Sequence, residues 1–305
     1  MAEYSIGVDL GGTNLRAAAI STSGEILASI SGRAELKAGR DAVIGDMVSA
    51  IVKLRDQVGS GLAGIGMGVP GFIIIEKGII VGSPNLPALD GYALRDDMEK
   101  RLGTAVVLEN DANAAALGEK WIGAGKDYDD VVLLTLGTGI GGGIISGGRV
   151  LHGFLGMAGE IGHMTVVPEG NPCGCGNRGC LEKHASATAI SGMARIIGLG
   201  ENLTSEQVFN LAVGGDEKAK RIFETMGRAL GVALATLVNI FNFPLMILSG
   251  GPLPAWDFFA PAMFEETRSR SFTFRNSDTK IVKATLGNEA GLYGAAYLPV
   301  LARKG

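Results

Sequence analysis

The chain has 305 residues, and its 27 Lys and Arg against 31 Asp and Glu give a formal net charge of −4. This balance argues against nucleic acid and anionic membranes as partners, because both favour a basic surface. Glycine reaches 48 residues and apolar residues 47%, so the composition excludes a disordered chain and predicts about two globular domains with glycine-rich loops.

The first half of the chain is predicted to alternate between strands and helices. It opens with a strand over 4–10, a glycine loop over 11–14, and two further strands over 15–21 and 25–31. Apolar residues at helical spacing then predict a helix over 41–58. The next predicted elements are a strand from residue 64, a helix over 94–102, a strand over 105–110 and a helix over 111–121.

The opening layout returns in the second half. A buried strand over 131–136 leads into a glycine loop over 137–139, and a strand, a turn and a strand follow over 141–150. This repetition indicates an internal duplication. The remaining predicted elements are helices over 186–198 and 216–241, strands over 246–251 and 280–285, and a final helix over 289–301.

Two features bear on the location of the protein. The uncharged stretch 229–248 has the length of a membrane span, but Asn239, Asn242 and Pro244 interrupt it, so we expect a buried helix, a turn and a buried strand. The first residues lack the pattern of a signal peptide, and three cysteines are too few for a secreted disulfide scaffold. The sequence therefore predicts a cytoplasmic protein without membrane contact.

Two glycine loops that follow buried strands, over 9–14 and 137–142, are candidate phosphate sites. Backbone N–H groups and a threonine hydroxyl in such a loop can converge on a phosphate. The second loop also satisfies G-x-G-x-x-G, the dinucleotide pattern, but a strand follows it and not the helix that this pattern requires. We therefore expect phosphate binding without a Rossmann fold.

Asp111 is predicted to lie where a buried strand ends and a helix begins. In that position a carboxylate could cap the helix, could face the cleft of an α/β layer and accept the proton of an attacking hydroxyl, or could do both. Phosphoryl transfer has a loose transition state, so a carboxylate of ordinary pKa would suffice as its base.

Four metal-binding side chains, His163, Cys173, Cys175 and Cys180, fall within eighteen residues. The whole chain has only three His and three Cys, so this concentration is unusual. A Cys₃His set suits tetrahedral, structural Zn²⁺. Free thiols or a redox site are the alternatives, but Cys-Gly-Cys is poorly suited to an unstrained disulfide. The pattern favours zinc.

The order of these motifs resembles the actin-like ATPase and sugar-kinase superfamily, and the residues around the cysteines resemble its ROK family. Segments 9–14 and 133–139 are similar to the two phosphate segments of the superfamily, and 249–251 to its adenosine segment. The sequences EIGH from residue 160 and GCGNRGCLE from residue 174 complete the ROK pattern.

This resemblance implies an α/β fold of two ribonuclease H-like domains with a cleft between them. Each domain would hold one copy of a duplicated mixed sheet flanked by helices. The expected division is a smaller domain of residues 1–109 plus 291–305 and a larger domain of residues 110–290. A homodimer is also implied.

The resemblance further implies an ATP-dependent sugar kinase with Asp111 as its base. Asp9 would help to place Mg²⁺, and the zinc would order the loop that holds the sugar. The implied sugar contacts are Gly71, Asn85, Asn110, Asp111, Glu160, His163 and Glu182. The implied nucleotide contacts are Asp9, Gly11, Gly12, Thr13, Asn14, Gly137, Thr138, Gly139, Gly250 and Gly251.

The expected reaction transfers the γ-phosphoryl group of ATP to the 6-hydroxyl of glucose, because LENDANAAALGE and SPNLPALDGY resemble the glucokinase branch. Fructose, mannose, N-acetylmannosamine and N-acetylglucosamine are alternative acceptors, and polyphosphate is an alternative donor. The family also includes sugar-sensing repressors, although only eight residues precede Asp9 and no DNA-reading element is visible. A nicotinamide-dependent oxidoreductase would depend on the second glycine loop alone.

Overall fold

The computed structural model describes residues 3–11, 14–33, 39–83 and 86–303. The strands are β1 (Tyr4–Leu10), β2 (Asn14–Ser21), β3 (Ile26–Arg33), β4 (Leu62–Val69), β5 (Phe72–Ile74), β6 (Ile79–Val81), β7 (Val106–Asn110), β8 (Val131–Leu136), β9 (Ile140–Ser146), β10 (Arg149–Val150), β11 (Leu245–Gly250) and β12 (Lys280–Lys283). The helices are α1 (Arg40–Val58), α2 (Leu94–Leu102), α3 (Asp111–Trp121), α4 (Glu182–Ala185), α5 (Ala187–Ile196), α6 (Ser205–Val213), α7 (Glu217–Phe241), α8 (Trp256–Arg270), α9 (Phe272–Arg275) and α10 (Ala290–Ala302).

Two five-stranded mixed sheets share one strand order. The first runs β3-β2-β1-β4-β7 and the second β10-β9-β8-β11-β12, so β1 and β8 occupy equivalent central positions. In the first sheet β1 pairs antiparallel with β2 and parallel with β4. In the second sheet β8 pairs parallel with β11, which pairs parallel with β12. The repeated layout of the sequence therefore corresponds to a repeated topology.

Most predicted elements lie within two residues of their observed positions. Helices α2 and α3 and strand β8 coincide with their predicted ranges. The stretch 229–248 forms the end of α7, a turn and most of β11, as expected. Within the described ranges, every helix is too short or too polar to cross a membrane; location in the cytoplasm stays a prediction. The sequence patterns did not predict the hairpin of β5 and β6, the short helix α4, or helices α6, α8 and α9.

The chain divides into two compact units. Unit 1 contains residues 1–129, 143–158 and 285–305, and unit 2 contains residues 130–142 and 159–284. Residues 110–129, 143–158 and 285–290 were expected in the larger domain and belong to unit 1. Helix α3, within the first of these segments, packs against α10, which is also part of unit 1.

Glycine serves this packing as well as the loops. A Cβ on Gly118 of α3 would collide with the backbone of Ala290, and one on Gly294 of α10 with the backbone of Ala114. Gly66 of β4 faces α10 in the same way, because a Cβ there would collide with the backbone of Ala295. Part of the high glycine content therefore lets a helix approach its neighbours closely. Much of the remaining unit 1 core consists of apolar side chains of the first sheet, α1, α2 and the β5–β6 hairpin.

Candidate functional site

Asp111 is the first residue of α3, directly after β7. The N-cap is Asn110, whose Oδ1 accepts hydrogen bonds from the backbone N–H groups of Ala112 at 2.9 Å and Asn113 at 3.2 Å. Asp111 Oδ1 also accepts from the Ala112 N–H at 2.9 Å. The capping role considered for Asp111 therefore belongs mainly to Asn110, and the helix start fixes the position of the Asp111 carboxylate.

The surroundings of Asp111 disfavour its negative charge. Burial raises the pKa of its carboxyl group to about 6; the Ala112 N–H opposes this rise and the nearby charge of Asp9 adds to it. The sequence argument assumed an ordinary pKa, so the structure departs from it here. A carboxylate with a pKa of about 6 is ionised at neutral pH and binds a proton more strongly than an ordinary Asp, which suits a general base.

Asp9 lies near the end of β1 and is paired with Arg16. Its Oδ2 lies 2.8 Å from Arg16 Nη2, and the two residues are opposite one another in the β1–β2 ladder. Burial raises the pKa of Asp9, and the Arg16 guanidinium opposes that rise. In the loop that follows, the Gly11 N–H donates to the carbonyl oxygen of Asn14 at 2.8 Å. The predicted residues Gly12 and Thr13 lie outside the described residues.

Gly71 and Asn110 are brought together in unit 1. Asn110 Nδ2 donates to the carbonyl oxygen of Gly71 at 3.2 Å, so the side chain that caps α3 also holds the loop after β4. Gly71 has φ 110°, and a Cβ there would press on Ser83. The Asn110 side chain also hydrogen-bonds the Asp111 carboxylate, an interaction that lowers the pKa of Asp111. The predicted sugar contact Asn85 lies outside the described residues.

Sequence reasoning assigned no role to two side chains that the structure places next to this turn. Glu109, the residue before the cap, is 3% exposed, and its Oε2 lies 2.7 Å from His152 Nε2. One feature of the sequence indicated a role for Glu109, which is its position directly before Asn110 and Asp111. Nothing in the sequence indicated a link to His152, which is 43 residues away.

The second glycine loop, in unit 2, is held by the start of α5. The Gly137 carbonyl oxygen accepts from the Ala187 N–H at 2.8 Å, and the Thr138 carbonyl oxygen accepts from Thr188 Oγ1 at 2.7 Å. Within the loop, the Gly137 N–H donates to the Gly139 carbonyl oxygen at 2.9 Å. These bonds fix the backbone of the loop before any ligand binds.

A cavity of about 450 Å³ opens beside Thr138. Sequence reasoning missed its other lining residues, which are Ala187, Thr188, Ser191, Gly192, Arg195, Glu201, Asn202, Leu203, Thr204 and Ser205. Gly250 and Gly251 do not line it. Gly250 has φ 111°, and a Cβ there would collide with the backbone of Leu136, so the fold itself requires this glycine.

Two predicted sugar ligands of unit 2, Glu160 and Glu182, lie close enough for the charge of Glu182 to affect the pKa of Glu160. Burial raises the pKa of Glu160; His163 opposes this rise, and the charge of Glu182 adds to it. Glu182 Oε2 accepts from the Ile140 N–H at 3.3 Å, and Oε1 lies 3.0 Å from Lys183 Nζ. The structure thus brings both carboxylates to one place in this unit.

The four predicted metal ligands also come together in unit 2. Their donor atoms, from His163, Cys173, Cys175 and Cys180, all lie within 4.8 Å of one another, and the cysteines form no disulfide. Cys175 Sγ and Cys180 Sγ are 3.7 Å apart, close to the roughly 3.8 Å between two thiolates on a tetrahedral zinc. Burial raises the pKa of Cys180 to about 12, so its thiol stays protonated unless a bound cation stabilises the thiolate.

His163 connects this cluster to Glu160. Its Nδ1 lies 3.6 Å from Cys173 Sγ, whereas its Nε2 lies 3.7 Å from Glu160 Oε2. The two ring nitrogens therefore face different groups, one the cysteines and the other a predicted sugar ligand. This arrangement fits a metal-binding histidine whose second nitrogen serves another partner.

Comparison with known proteins identifies relatives over nearly the whole chain. The sequence profile of the ROK family matches residues 5–301. The glucokinase of Halalkalibacterium halodurans is 37% identical over 97% of this chain and 94% of its own length. The xylose repressor of Caldicellulosiruptor bescii is 31% identical over 95% of this chain, but over only 76% of the repressor.

Solved structures give the same relationship. A ROK hexokinase from Thermus thermophilus superimposes with a TM-score of 0.89 at 35% identity, covering 99% of this chain and 100% of that chain. A ROK family glucokinase from Streptomyces griseus, solved with glucose and AMPPNP, superimposes with a TM-score of 0.81 at 33% identity and the same coverage. These similarities confirm the predicted α/β fold of the actin-like ATPase type, and by the profile match and the full-length relatives the chain belongs to the ROK family.

Proposed function

We propose that this chain is an ATP-dependent glucokinase that transfers the γ-phosphoryl group to the 6-hydroxyl of glucose. Full-length similarity to glucokinases and a ROK hexokinase makes it a sugar kinase. The choice of glucose is supported by the glucokinase relatives and by the glucose bound to the Streptomyces griseus enzyme. The observation that carries the reaction is Asp111, a half-buried carboxylate fixed at a helix start with a pKa of about 6.

In this proposal Asp111 is the general base. The oxygen of the sugar 6-hydroxyl attacks the γ-phosphorus, the bond from phosphorus to the β-phosphate oxygen breaks, and ADP leaves. The hydroxyl proton passes to the Asp111 carboxylate, which later releases it to solvent. A raised pKa helps this step, because the carboxylate is ionised before the reaction and still binds the proton well.

The sugar would be held by polar groups that the structure has fixed in advance. In unit 1, the Asn110 amide would donate to a sugar oxygen. In unit 2, Glu160 and Glu182 accept hydrogen bonds from sugar hydroxyls, and His163 Nε2 lies beside Glu160. The two negative charges repel each other, and hydrogen bonds donated by the sugar hydroxyls would stabilise both carboxylates.

The nucleotide would use the glycine loops. The cavity beside Thr138 has the volume expected for a small-molecule site and would take the adenosine. The backbone at Gly11 and at Gly137 would face the phosphates. Asp9 would hold Mg²⁺, which is a hard cation that prefers oxygen ligands and would neutralise phosphate charge when bound. The mutual repulsion of Asp9 and Asp111 favours a cation there.

The cysteine cluster would hold a structural Zn²⁺. A Cys₃His set fills all four positions of a tetrahedral zinc, so none is left to activate a hydroxyl. Its role would be to fix the segment between Glu160 and Glu182, and therefore the two carboxylates at its ends. The spacing of the sulfur and nitrogen atoms supports this assignment.

A coupled assay of ADP formation on a panel of sugars tests the proposal. The panel contains glucose, mannose, fructose, N-acetylmannosamine and N-acetylglucosamine, with ATP or polyphosphate as the donor. We expect the highest kcat/KM for glucose with ATP. A higher value for another sugar would overturn the choice of substrate. Sugar binding without turnover on any of them would instead support a regulator, the alternative that the xylose repressor similarity favours.

A further inference from the structure

Glu109 is a deeply buried carboxylate with three hydrogen-bonding partners among the residues that the structure describes. Oε1 accepts from the backbone N–H of Asn110 at 2.9 Å and from Asn113 Nδ2 at 3.0 Å. Oε2 is 2.7 Å from His152 Nε2. The residue is 3% exposed, and an ionised carboxylate buried to this extent needs partners for both oxygens.

These partners lie on both sides of Asp111. The Asn110 N–H is one residue before Asp111 in the chain, and the Asn113 side chain is two residues after it. Glu109 therefore holds the whole turn in which β7 ends and α3 begins. The third partner, His152, is the only one that comes from outside this turn.

His152 is itself held in place. The Ala158 N–H donates to the His152 carbonyl oxygen at 3.1 Å, and the neighbouring Leu151 N–H donates to Ile144 at 2.8 Å. Its side chain is 34% exposed. An ionised Glu109 can only accept, so Nε2 carries the proton of this hydrogen bond. The bond to Glu109 raises the pKa of His152, against the opposing effect of burial.

We propose that His152 is a positioning residue for the reaction: through Glu109 it holds the Asp111 carboxylate where the sugar hydroxyl delivers its proton. The proposal depends on the sugar kinase function proposed above. Without the imidazole, Oε2 of Glu109 is buried and unpaired, so the carboxylate turns away or becomes protonated and releases the turn. A catalytic group displaced by about 1 Å can lose up to about 100-fold in rate.

The test compares His152→Ala with His152→Gln in the full-length protein. Glutamine carries an N–H donor at nearly the same distance from the backbone as histidine Nε2, so it can reach Oε2 of Glu109. We expect His152→Ala to lower kcat about 10- to 100-fold while KM for ATP changes less than about twofold, and His152→Gln to recover most of the loss. Leu151→Ala, a change to the adjacent side chain, is the matched control and should keep kcat near wild type.

A double variant separates positioning from general damage. Glu109→Gln should lower kcat about as much as His152→Ala, and the combination should be no worse than either, because both act through one contact. Melting temperatures show whether each variant is folded. Normal kcat in His152→Ala, equal rises in KM for ATP and glucose without a fall in kcat, or no rescue by glutamine would overturn the inference. If the wild-type protein turns over no sugar, the proposed function fails; if it does and His152→Ala matches it, the inference alone fails.

Discussion

Asp111→Asn should make the protein more stable and less active. Burial raises the pKa of Asp111 from an ordinary 3.8 to about 6 in the folded chain. The folded state therefore binds this proton more tightly than the unfolded state, so ionisation of Asp111 opposes folding. The opposition is absent below pH 3.8, grows as the pH rises towards 6, and is constant above that value.

The size of the effect follows from the shift. Two pKa units correspond to about 3 kcal/mol, which is an upper limit because Asp111 is partly exposed and solvent screens some of the effect. Asparagine has the same shape, carries no charge and can accept the Ala112 N–H through its carbonyl oxygen. At pH 7.5 we expect the variant to exceed the wild type in free energy of unfolding by up to about 3 kcal/mol. The gain should vanish near pH 4.

Urea unfolding followed by circular dichroism at pH 4, 5, 6 and 7.5 measures the stability difference. The same variant should lose at least about 100-fold in kcat, since it has no proton acceptor, while its affinity for glucose in calorimetry changes less. If the wild type and Asp111→Asn were equally stable at every pH, the inference that burial destabilises the ionised Asp111 would be refuted. Near-normal turnover would show that another group is the base.

Three further outcomes test the rest of the site. The value of kcat/KM should fall below pH 6 as Asp111 is protonated, and Asp9→Asn should move this fall to lower pH by removing a charge that raises the Asp111 pKa. Gly11→Ala should fold normally, because its Cβ would lie 3.6 Å from the nearest backbone oxygen. We expect its affinity for ATP, measured by calorimetry, to fall at least about tenfold. An unchanged affinity would contradict phosphate binding by this loop. Elemental analysis should find about one zinc per chain, and Cys175→Ala should lose it and raise KM for glucose more than for ATP. A Cys175→Ala protein with full zinc content would refute the ligand set.

The features that could be predicted from sequence are those whose cause is local. Helix α3 follows from an apolar pattern with capping residues at its start, and its predicted range is the observed one. The four metal ligands lie within one short segment, so their spacing alone indicated a cluster. Helix α8 carries Pro261 in its interior, a residue type that usually ends a helix, and its segment was assigned no element.

The Asp111 pKa could not be predicted from its position before a helix. The shift comes from burial and from the charge of Asp9, which lies on β1, whereas Asp111 follows β7, two positions away in the same sheet. Both depend on how the strands are ordered. The local sequence gives the residue type and the helix start, whereas the tertiary structure sets the proton affinity.

Arg16 and His152 differ in how far the sequence could indicate their partners. Arg16 lies in the hairpin partner of β1, and the observed register places it opposite Asp9, so a correct register would have identified the pair. No periodicity or turn links His152 to Glu109, because 43 residues and several elements separate them. A histidine without a neighbouring ligand in the sequence is then indistinguishable from a surface residue. Polar partners joined only by the tertiary fold, such as this pair, are the ones that sequence reasoning cannot supply, even where the catalytic residue beside them is identified.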